Sequence, residues 1–231
     1  MALDVVTVGV VCADVMVRPV ESFPDRGKLT LVPKLEIHLG GLAGVTATVL
    51  CQLGVKAAFI GKVGMDGFGD YILNELTKQK VDVTRVKRTS DHATSATVVL
   101  ISQDGERTFL HHLGANAAIL EQDLDFDFIR QAKVLHWGGP AITPGLEGKP
   151  IGRVMKRARE YGVKTSMDTA YDGKGIWFGH IEHALPHLDT VMSSLEEARH
   201  YTGKQEPDEI AEFYRSFGVK TVVVKLGADG I

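Results

Sequence analysis

The sequence is poor in cysteine, in long apolar runs and in clustered basic residues. Only Cys12 and Cys51 occur among its 231 residues, and both lie among valines and leucines, so we expect no disulfide framework, no reactive thiol and a reducing, cytoplasmic location. The apolar run at the amino terminus has no basic leader and is far shorter than the roughly 20 residues of a bilayer span, which argues against a membrane partner. A net charge of −3 without a basic cluster gives no reason to expect a nucleic-acid partner.

Two common phosphate-binding motifs are also missing. The GxxxxGK[ST] loop of P-loop enzymes does not occur. The segment HLGGLAGVTA, with Asp66 downstream as a ribose-binding acid, invites comparison with a dinucleotide site. However, its glycines lack GxGxxG spacing, and the strand before it alternates apolar and polar residues. A nicotinamide-dependent enzyme therefore remains an alternative that the glycine spacing opposes.

Histidine is more abundant, with nine residues, and two groups of histidines raise the question of a site. The first group, in GHIEHALPH, consists of His180, His183 and His187. Pro186 interrupts the helical register there and no second ligand cluster completes a tetrahedral set, so zinc has little support. His111 and His112 are adjacent on a predicted strand, where neighbours face opposite sides, so at most one of them can touch a substrate.

The hydrophobic residues, 44% of the chain, are enough for one large α/β domain with a continuous core. Continuous apolar runs predict buried strands, and apolar residues at helical spacing predict helices. The segments so predicted are strands at 5–12 and 57–64, helices at 42–53, 67–79, 146–161, 194–202 and 207–217, and a last strand ending near residue 226. The alternation of strand and helix predicts a mainly parallel sheet between helices.

Two segments do not fit inside such a sheet. Residues 29–40 alternate apolar and polar, which is typical of a strand with one wet face. Residues 95–111 contain Asp104-Gly105, a strong hairpin signal. We therefore expect a small antiparallel lid of about residues 15–38 and 94–112 that stands off the main domain.

Polar residues and glycines follow the predicted strands. In open parallel sheets ligands bind beyond the carboxyl ends of the strands, so these positions are candidates for a site. They are Asp14, Gly40, Gly41, Gly64, Asp66, Asp168, Ser194, Glu197 and Gly227. Each alone is more simply explained as a turn former or helix cap; their joint placement at one edge favours a ligand site.

The stretch GGLAGVTATVLCQLGVKAAFIGKVGMDGFGDYILNEL, residues 40–76, resembles the first signature region of the ribokinase-like (PfkB) carbohydrate kinase family. Further similar segments are GVVCAD near the start, DGERTFLHHLGANAAI at 104–119, LHWGG at 135–139, MDTAYDGKGIW at 167–177, SLEEARHYTG at 194–203 and VVVKLGADG at 222–230. The resemblance covers essentially the whole chain and implies a three-layer α/β sandwich with a β lid.

The resemblance also implies an activity and site residues. Members of that family transfer the γ-phosphoryl group of ATP, with Mg²⁺, to a hydroxyl of a sugar or nucleoside, and they often form homodimers through the lid. By similarity, the substrate-binding residues would be Asp14, Gly40, Gly41, Val45 and Gly138. The residues of the nucleotide and magnesium site would be Asp168, Ser194, Glu197, Lys225 and Gly227, with no direct metal ligand.

Three departures from the family pattern stand out. Val45 and Ser194 each replace an expected asparagine. The second signature, which carries the catalytic aspartate and a Gly-Ala-Gly anion hole, is expected beyond Ile231. The sequence therefore predicts a sugar kinase whose catalytic base lies outside residues 1–231, and leaves a non-catalytic sugar-binding or regulatory remnant as the alternative.

Overall fold

The structure is a computed structural model and describes residues 3–231. Its twelve strands are β1 (Val5–Gly9), β2 (Cys12–Arg18), β3 (Lys34–Gly40), β4 (Ala57–Ile60), β5 (Lys62–Gly64), β6 (Lys87–Thr89), β7 (Ala96–Ile101), β8 (Arg107–His112), β9 (Val134–Gly138), β10 (Lys164–Asp168), β11 (Thr190–Ser194) and β12 (Thr221–Lys225). Its seven α-helices are α1 (Leu42–Gln52), α2 (Gly67–Lys78), α3 (Phe126–Ile129), α4 (Lys149–Glu160), α5 (Phe178–Ile181), α6 (Leu195–Thr202) and α7 (Pro207–Ser216).

Six strands form the central sheet in the order β12-β11-β10-β9-β1-β4. Every neighbouring pair is parallel, so all six carboxyl ends lie at the same edge. The predicted parallel α/β fold is confirmed. Its cause is the alternation of buried strands with helices, because each crossover helix returns the chain to the amino-terminal edge.

Helices cover both faces of this sheet. Along β4, Ala58 and Ile60 belong to one apolar cluster with α4, α6 and α7, whereas Ala57 and Phe59 belong to a second cluster with α1 and α2. Successive side chains of a strand point to opposite faces, so the two clusters are two separate helical layers. The arrangement is the three-layer sandwich that the sequence predicts.

A second sheet of four strands, in the order β3-β2-β7-β8, is the lid. The β3–β2 and β7–β8 pairs are antiparallel, and a tight turn at Asp104-Gly105 joins β7 to β8 as predicted. The central pair, β2 and β7, is parallel, so the prediction of a wholly antiparallel lid is wrong. The two strands are separated by elements of the main domain, and such a long connection permits parallel pairing.

The predicted strand at 5–12 is divided in two, and this division creates the lid. At Gly9 (φ 130°) a Cβ would lie 2.2 Å from the carbonyl oxygen of Gly138, so only glycine fits the crossing. The buried side chain of Asn116 then hydrogen-bonds both the amide (3.5 Å) and the carbonyl (2.9 Å) of Val11. The chain leaves the central sheet after Gly9 and enters the lid at Cys12, three residues before the predicted lid boundary.

Other boundaries shift for local reasons. The strand predicted at 29–40 begins only at Lys34, and the strand predicted at 57–64 is divided at Gly61 into β4 and β5, of which β5 pairs with β6 outside the central sheet. Helices α6 and α7 agree with the predicted ranges within one residue. Ser194 caps the first and Pro207 begins the second, and such signals are local enough to be read from sequence.

Candidate active site

Most of the predicted site residues lie at or beside the carboxyl edge of the central sheet. The strand register places Gly9 beside Gly138, Gly138 beside Asp168, and Ser194 beside Lys225. Parallel neighbours are roughly 4.8 Å apart, so the end of β1 and the start of α6 are about 15 Å apart, three strand spacings. The side chains of Asp168, Ser194 and Lys225 therefore lie at the same edge as the glycines that end β1 and β9.

At one end of this edge, Asp14 and the diglycine form a close-packed pair. A Cβ on Gly40 would lie 2.1 Å from Oδ2 of Asp14, so the carboxylate occupies the space that a side chain would fill. Gly41 caps α1 with φ 89°, and a Cβ there would lie 2.6 Å from the carbonyl oxygen of Val10. The thiol of Cys12 donates to Oδ1 of Asp14 at 3.2 Å. We call Asp14, Gly40 and Gly41 the acceptor corner. The sequence predicts these three residues as site residues, but it does not predict that Asp14 and Gly40 are in contact.

Asp14 belongs to a polar row that runs across the lid. In register, it pairs with His38 on β3 and with Thr97 on β7, and Thr97 pairs with His111 on β8. Directly paired residues share one face of a sheet, so all four side chains lie on the face of Asp14. Thr97 Oγ1 and His111 Nδ1 are 3.0 Å apart. His112 pairs with Ala96 and therefore faces the other side of the sheet, so His111 is the histidine that can reach a ligand beside Asp14.

The charge state of this row follows from its surroundings. Partial burial lowers the pKa of His111, while the Asp14 carboxylate opposes this shift. Burial raises the pKa of the Cys12 thiol, and the neighbouring Asp14 carboxylate raises it further. Both shifts favour the neutral form, of the His111 imidazole and of the Cys12 thiol. Together with the Thr97 hydroxyl and Asp14, these groups are suited to hydrogen bonding with hydroxyl groups.

Farther along the edge, Asp168 and Lys225 form an ion pair. Lys225 Nζ lies 2.7 Å from Asp168 Oδ1. Burial raises the pKa of Asp168, and the ammonium group of Lys225 opposes this shift. The pair holds the end of β12 against β10 across the intervening β11, and places one cation at the carboxyl edge.

Ser194 and Glu197 form a capping box at the start of α6. The amide of Glu197 donates to Ser194 Oγ at 3.3 Å, and the amide of Ser194 donates to Glu197 Oε2 at 3.4 Å. The hydroxyl of Thr169 donates to the same Oε2 at 2.7 Å and lies 2.6 Å from Ser193 Oγ. Serine thus supplies the cap of α6, and the Glu197 carboxylate is oriented by the hydroxyl of Thr169, just after β10, and by the amide of Ser194.

The remaining predicted residues have simpler surroundings. A Cβ on Gly138 would lie 2.7 Å from the amide nitrogen of Ala43, so this glycine permits the close approach of α1 to β9. Val45, in the first turns of α1, is 39% exposed and presents an apolar surface. Gly227 (φ 65°) lies in an exposed 3-10 turn directly after β12, and no atom lies within 4 Å of the position that a Cβ would take there.

Two predicted residues do not join the edge. Gly64 ends β5, which pairs with β6 outside the central sheet, and Asp66 caps α2. Their hydrogen bonds are to Thr94, just before the lid strand β7. Because both residues follow an apolar run, the sequence predicts that they lie beside the other site residues. The structure places them instead against residues 92–95, the segment that leads into the lid strand β7 and that we call the root of the lid.

Of the three histidines in the group at 180–187, only His180 is buried. His180 is buried between two carboxylates, with Nδ1 2.6 Å from Glu147 Oε2 and Nε2 3.2 Å from Asp172 Oδ2. Burial opposes ionisation of Asp172, but backbone amides of the loop that follows β10 donate to it and hold its pKa below the ordinary value. Within residues 3–231, no group of three or more histidine, cysteine or acidic side chains is arranged to hold a metal ion. His180 joins the loops after β9 and β10.

Sequence reasoning missed Thr97, Thr169 and the contact of Cys12 with Asp14. Thr97 lies in an apolar strand, and only the register with Asp14 reveals its face. Thr169 directly follows Asp168 in the segment MDTAYD, so its position after a strand was a usable signal. Cys12 and Asp14 are two residues apart in β2, and such residues share a face of a strand, but the sequence placed Cys12 at the end of the preceding strand and the signal was not used.

Comparisons with known proteins identify the family of the chain. The model of the pfkB family of carbohydrate kinases matches residues 2–231. Two curated relatives are a 5-dehydro-2-deoxygluconokinase of Mesomycoplasma hyopneumoniae, 26% identical over 98% of this chain and 70% of its own length, and a probable fructokinase-5 of Arabidopsis thaliana, 34% identical over 83% of this chain and 61% of its own length. This chain thus spans about two thirds of the length of these relatives.

A solved structure supports the same assignment. The ribokinase of Arabidopsis thaliana complexed with ribose and ATP superposes with a TM-score of 0.81 at 25% identity, over 99% of this chain and 73% of that one. In the part of the chain that the structure describes, no helix has the length and apolar character needed to cross a bilayer. On the family match and these likenesses, the chain belongs to the pfkB family of carbohydrate kinases.

Proposed function

We propose that this chain forms the acceptor site and part of the nucleotide site of an ATP-dependent kinase that phosphorylates a sugar hydroxyl. The observation that carries the proposal is the contact of Asp14 with Gly40, where a carboxylate lies against a backbone without a side chain and shares one face of the lid with Thr97 and His111. Relatives named for kinases of dehydro-deoxygluconate, fructose and ribose support a sugar as acceptor.

The acceptor is held by hydrogen bonds in this proposal. The Asp14 carboxylate accepts from sugar hydroxyls, while Thr97 and His111 donate to and accept from the same ligand. The backbone at Gly40 and Gly41 approaches the sugar closely because no Cβ intervenes. Phosphoryl transfer requires an in-line acceptor and the exclusion of water, and a lid over the edge serves both requirements.

The nucleotide would lie toward β11 and β12. Lys225 and Gly227 would bind its phosphates at the carboxyl end of β12, where the open turn at Gly227 exposes backbone amides. Glu197 would orient the water and Mg²⁺ shell of the phosphates, and its fixed Oε2, held by Thr169, fits an indirect role. Bound Mg²⁺ would supply charge neutralisation at the transferred phosphoryl group.

A second candidate function is sugar binding without phosphoryl transfer. The observation that favours it concerns the acidic residues that follow β10 and β12: neither Asp168 nor Asp229 stands in a Gly-Ala-Gly context. Asp168 is also paired with Lys225, which suits a structural role better than that of a base.

Cys12 and Cys51 are free thiols, which supports the cytoplasmic location proposed for either function.

Both candidate functions are tested by one ligand panel. We expect D-fructose, D-ribose or a keto-deoxy sugar acid to raise the melting temperature, because a ligand at 100 times its dissociation constant stabilises a protein by about 2.7 kcal/mol. Titration with MgATP, alone and with the stabilising sugar, then separates the two functions, because only a kinase requires a nucleotide site beside the acceptor site. Stabilisation by NAD with no effect of any sugar or of ATP would refute the proposed function.

We further propose a homodimer through the face of the lid opposite to Asp14. The register places apolar side chains on that face, and four of them are substantially exposed: Leu35, Ile37, Val98 and Leu110. Contiguous exposed apolar residues favour a protein partner, and an isologous pairing of this face with itself would cover them.

The dimer is tested by light scattering. We expect the wild type to have twice the mass of one chain and Leu110→Lys to be monomeric, since a charge at a buried apolar contact is unfavourable. Leu120→Lys, a similarly exposed leucine outside the lid, is the matched control and should leave the mass unchanged. A monomeric wild type at all accessible concentrations would refute the dimer.

A further inference from the structure

The root of the lid is held by a buried hydrogen-bonded group centred on Thr94, which is 2% exposed. Its hydroxyl donates to Asp66 Oδ1 at 2.6 Å and accepts from the amide of Gly64 at 2.8 Å. Its own amide donates to Asp66 Oδ2 at 2.7 Å. Asp66 also accepts from the amide of Gly69 at 2.9 Å. The Thr94 hydroxyl thus both donates and accepts within the GKVGMDGFG segment.

The charge of Asp66 strengthens this group. Burial opposes ionisation, but the donors from Thr94 and Gly69 outweigh it and keep the pKa of Asp66 below its ordinary value. The carboxylate is therefore ionised at neutral pH. Hydrogen bonds to a charged acceptor are roughly twice as strong as those between neutral groups, so the Asp66–Thr94 contact is a firm attachment between two separate parts of the chain.

Glycines pack closely against the backbone on both sides of the 92–95 segment and restrict its position. A Cβ on Gly64 would lie 2.6 Å from the amide nitrogen of Thr94, and one on Gly69 would lie 2.4 Å from the carbonyl oxygen of Gly64. On the opposite side, a Cβ on Gly114 (φ 50°) would lie 2.4 Å from the carbonyl oxygen of Ala93. Both ends of the β7–β8 hairpin, its start near Thr94 and its finish near Gly114, are therefore fixed at one place.

This attachment point is close to the acceptor corner. Thr94 precedes Thr97 by three residues, about 10 Å of extended chain. The carbonyl of Ser95 accepts from the amide of Ala13 at 3.1 Å, next to Asp14. The position of the 92–95 segment thus determines where β7 pairs with β2, and with it the alignment of Thr97 and His111 with Asp14.

We propose that Asp66 and Thr94 act as a clamp that positions the β7–β8 half of the lid beside Asp14, so that the GKVGMDGFG segment contributes to acceptor binding without touching the acceptor. Asp66 and Thr94 are positioning residues in this view. The identity of the ligand as a sugar rests on the proposed function. The attachment of the lid by Asp66 and Thr94 concerns the free protein and does not depend on a ligand.

The clamp is tested in the free protein by amide hydrogen exchange with Thr94→Val, which removes the hydroxyl and keeps the shape. We expect exchange across residues 96–112 to accelerate about 10-fold, as loss of a buried hydrogen bond to a charged group implies, while exchange in β9 and β10 changes by less than about 2-fold. Thr94→Ser, which retains the hydroxyl, should behave like the wild type. Equal acceleration in lid and central sheet would overturn the proposal.

Asp66→Asn provides a second variant and a ligand readout. It should also loosen residues 96–112 selectively. It should weaken the affinity for D-fructose or D-ribose, whichever binds the wild type, by about 10-fold, although residue 66 does not touch the sugar. If both variants unfold the whole protein, the clamp is general rather than local and the proposal fails. If the lid loosens as expected but no sugar binds even the wild type, the clamp is supported and the proposed function alone is refuted.

Discussion

Asp14→Asn is expected to weaken binding of the acceptor sugar about 10- to 100-fold, because a hydrogen bond to a charged group contributes about 1.5–3 kcal/mol. Asparagine has the same shape and should fit the space above Gly40, so the fold should be retained. The change removes the negative charge toward which Cys12, Thr97 and His111 are arranged. The measurement is titration calorimetry with the sugar that most stabilises the wild type.

The matched control for Asp14 is Asp127→Asn. The Asp127 side chain is 84% exposed in α3, so the same loss of charge occurs away from the edge of the sheet. Its affinity for the sugar should equal that of the wild type. If Asp14→Asn binds the sugar as tightly as the wild type does, Asp14 does not bind the acceptor, and that part of the proposed function is refuted whatever the activity of the protein.

Gly41→Ala is expected to lower the free energy of unfolding by about 3 kcal/mol or more. Alanine at φ 89° incurs backbone strain of about 1–3 kcal/mol, and its Cβ would meet the backbone of Val10 and Val11 at 2.6 Å, which adds overpacking of about 1–3 kcal/mol. Because backbone rather than a flexible side chain is in the way, neither β1 nor α1 can yield easily.

Gly54→Ala separates these two contributions. Gly54 has a similar φ of 84°, but nothing lies within 4 Å of its Cβ position, so it carries the backbone strain without the clash. Urea unfolding should show that Gly41→Ala is less stable than Gly54→Ala by about 2 kcal/mol. Equal losses would mean that the close approach at the start of α1 is unimportant and that the diglycine matters for conformation alone.

The lid shows where prediction from sequence succeeds and where it stops. The Asp104-Gly105 turn and the half-wet strand before Gly40 were predictable, because turn chemistry and alternation are local signals. The parallel pairing of β2 with β7 was not, since it joins residues more than eighty positions apart. The polar row of His38, Asp14, Thr97 and His111 exists only through that register.

The sequence correctly indicates that Asp66 follows a strand, but it predicts the wrong place for this residue in the fold. Its place after an apolar run predicted a role at the edge of the sheet, but the run is divided at Gly61 and its second part pairs with β6. The division depends on what packs around Gly61, where a Cβ would meet the ring of Phe59 at 2.2 Å. The pairing partner of the second part, residues 87–89, is more than twenty positions away, so a sequence window around Gly61 does not contain it.

The sequence by itself determined the parallel α/β architecture, the presence of a lid, the helix caps and the residue types that follow the strands, because periodicity, turn residues and capping act over a few neighbouring positions. Only the tertiary structure decided that Asp14 lies against Gly40, that His111 rather than His112 shares its face, and that Thr94 attaches the lid through Asp66. Those outcomes depend on strand register and close backbone approach, which are set by packing between distant segments.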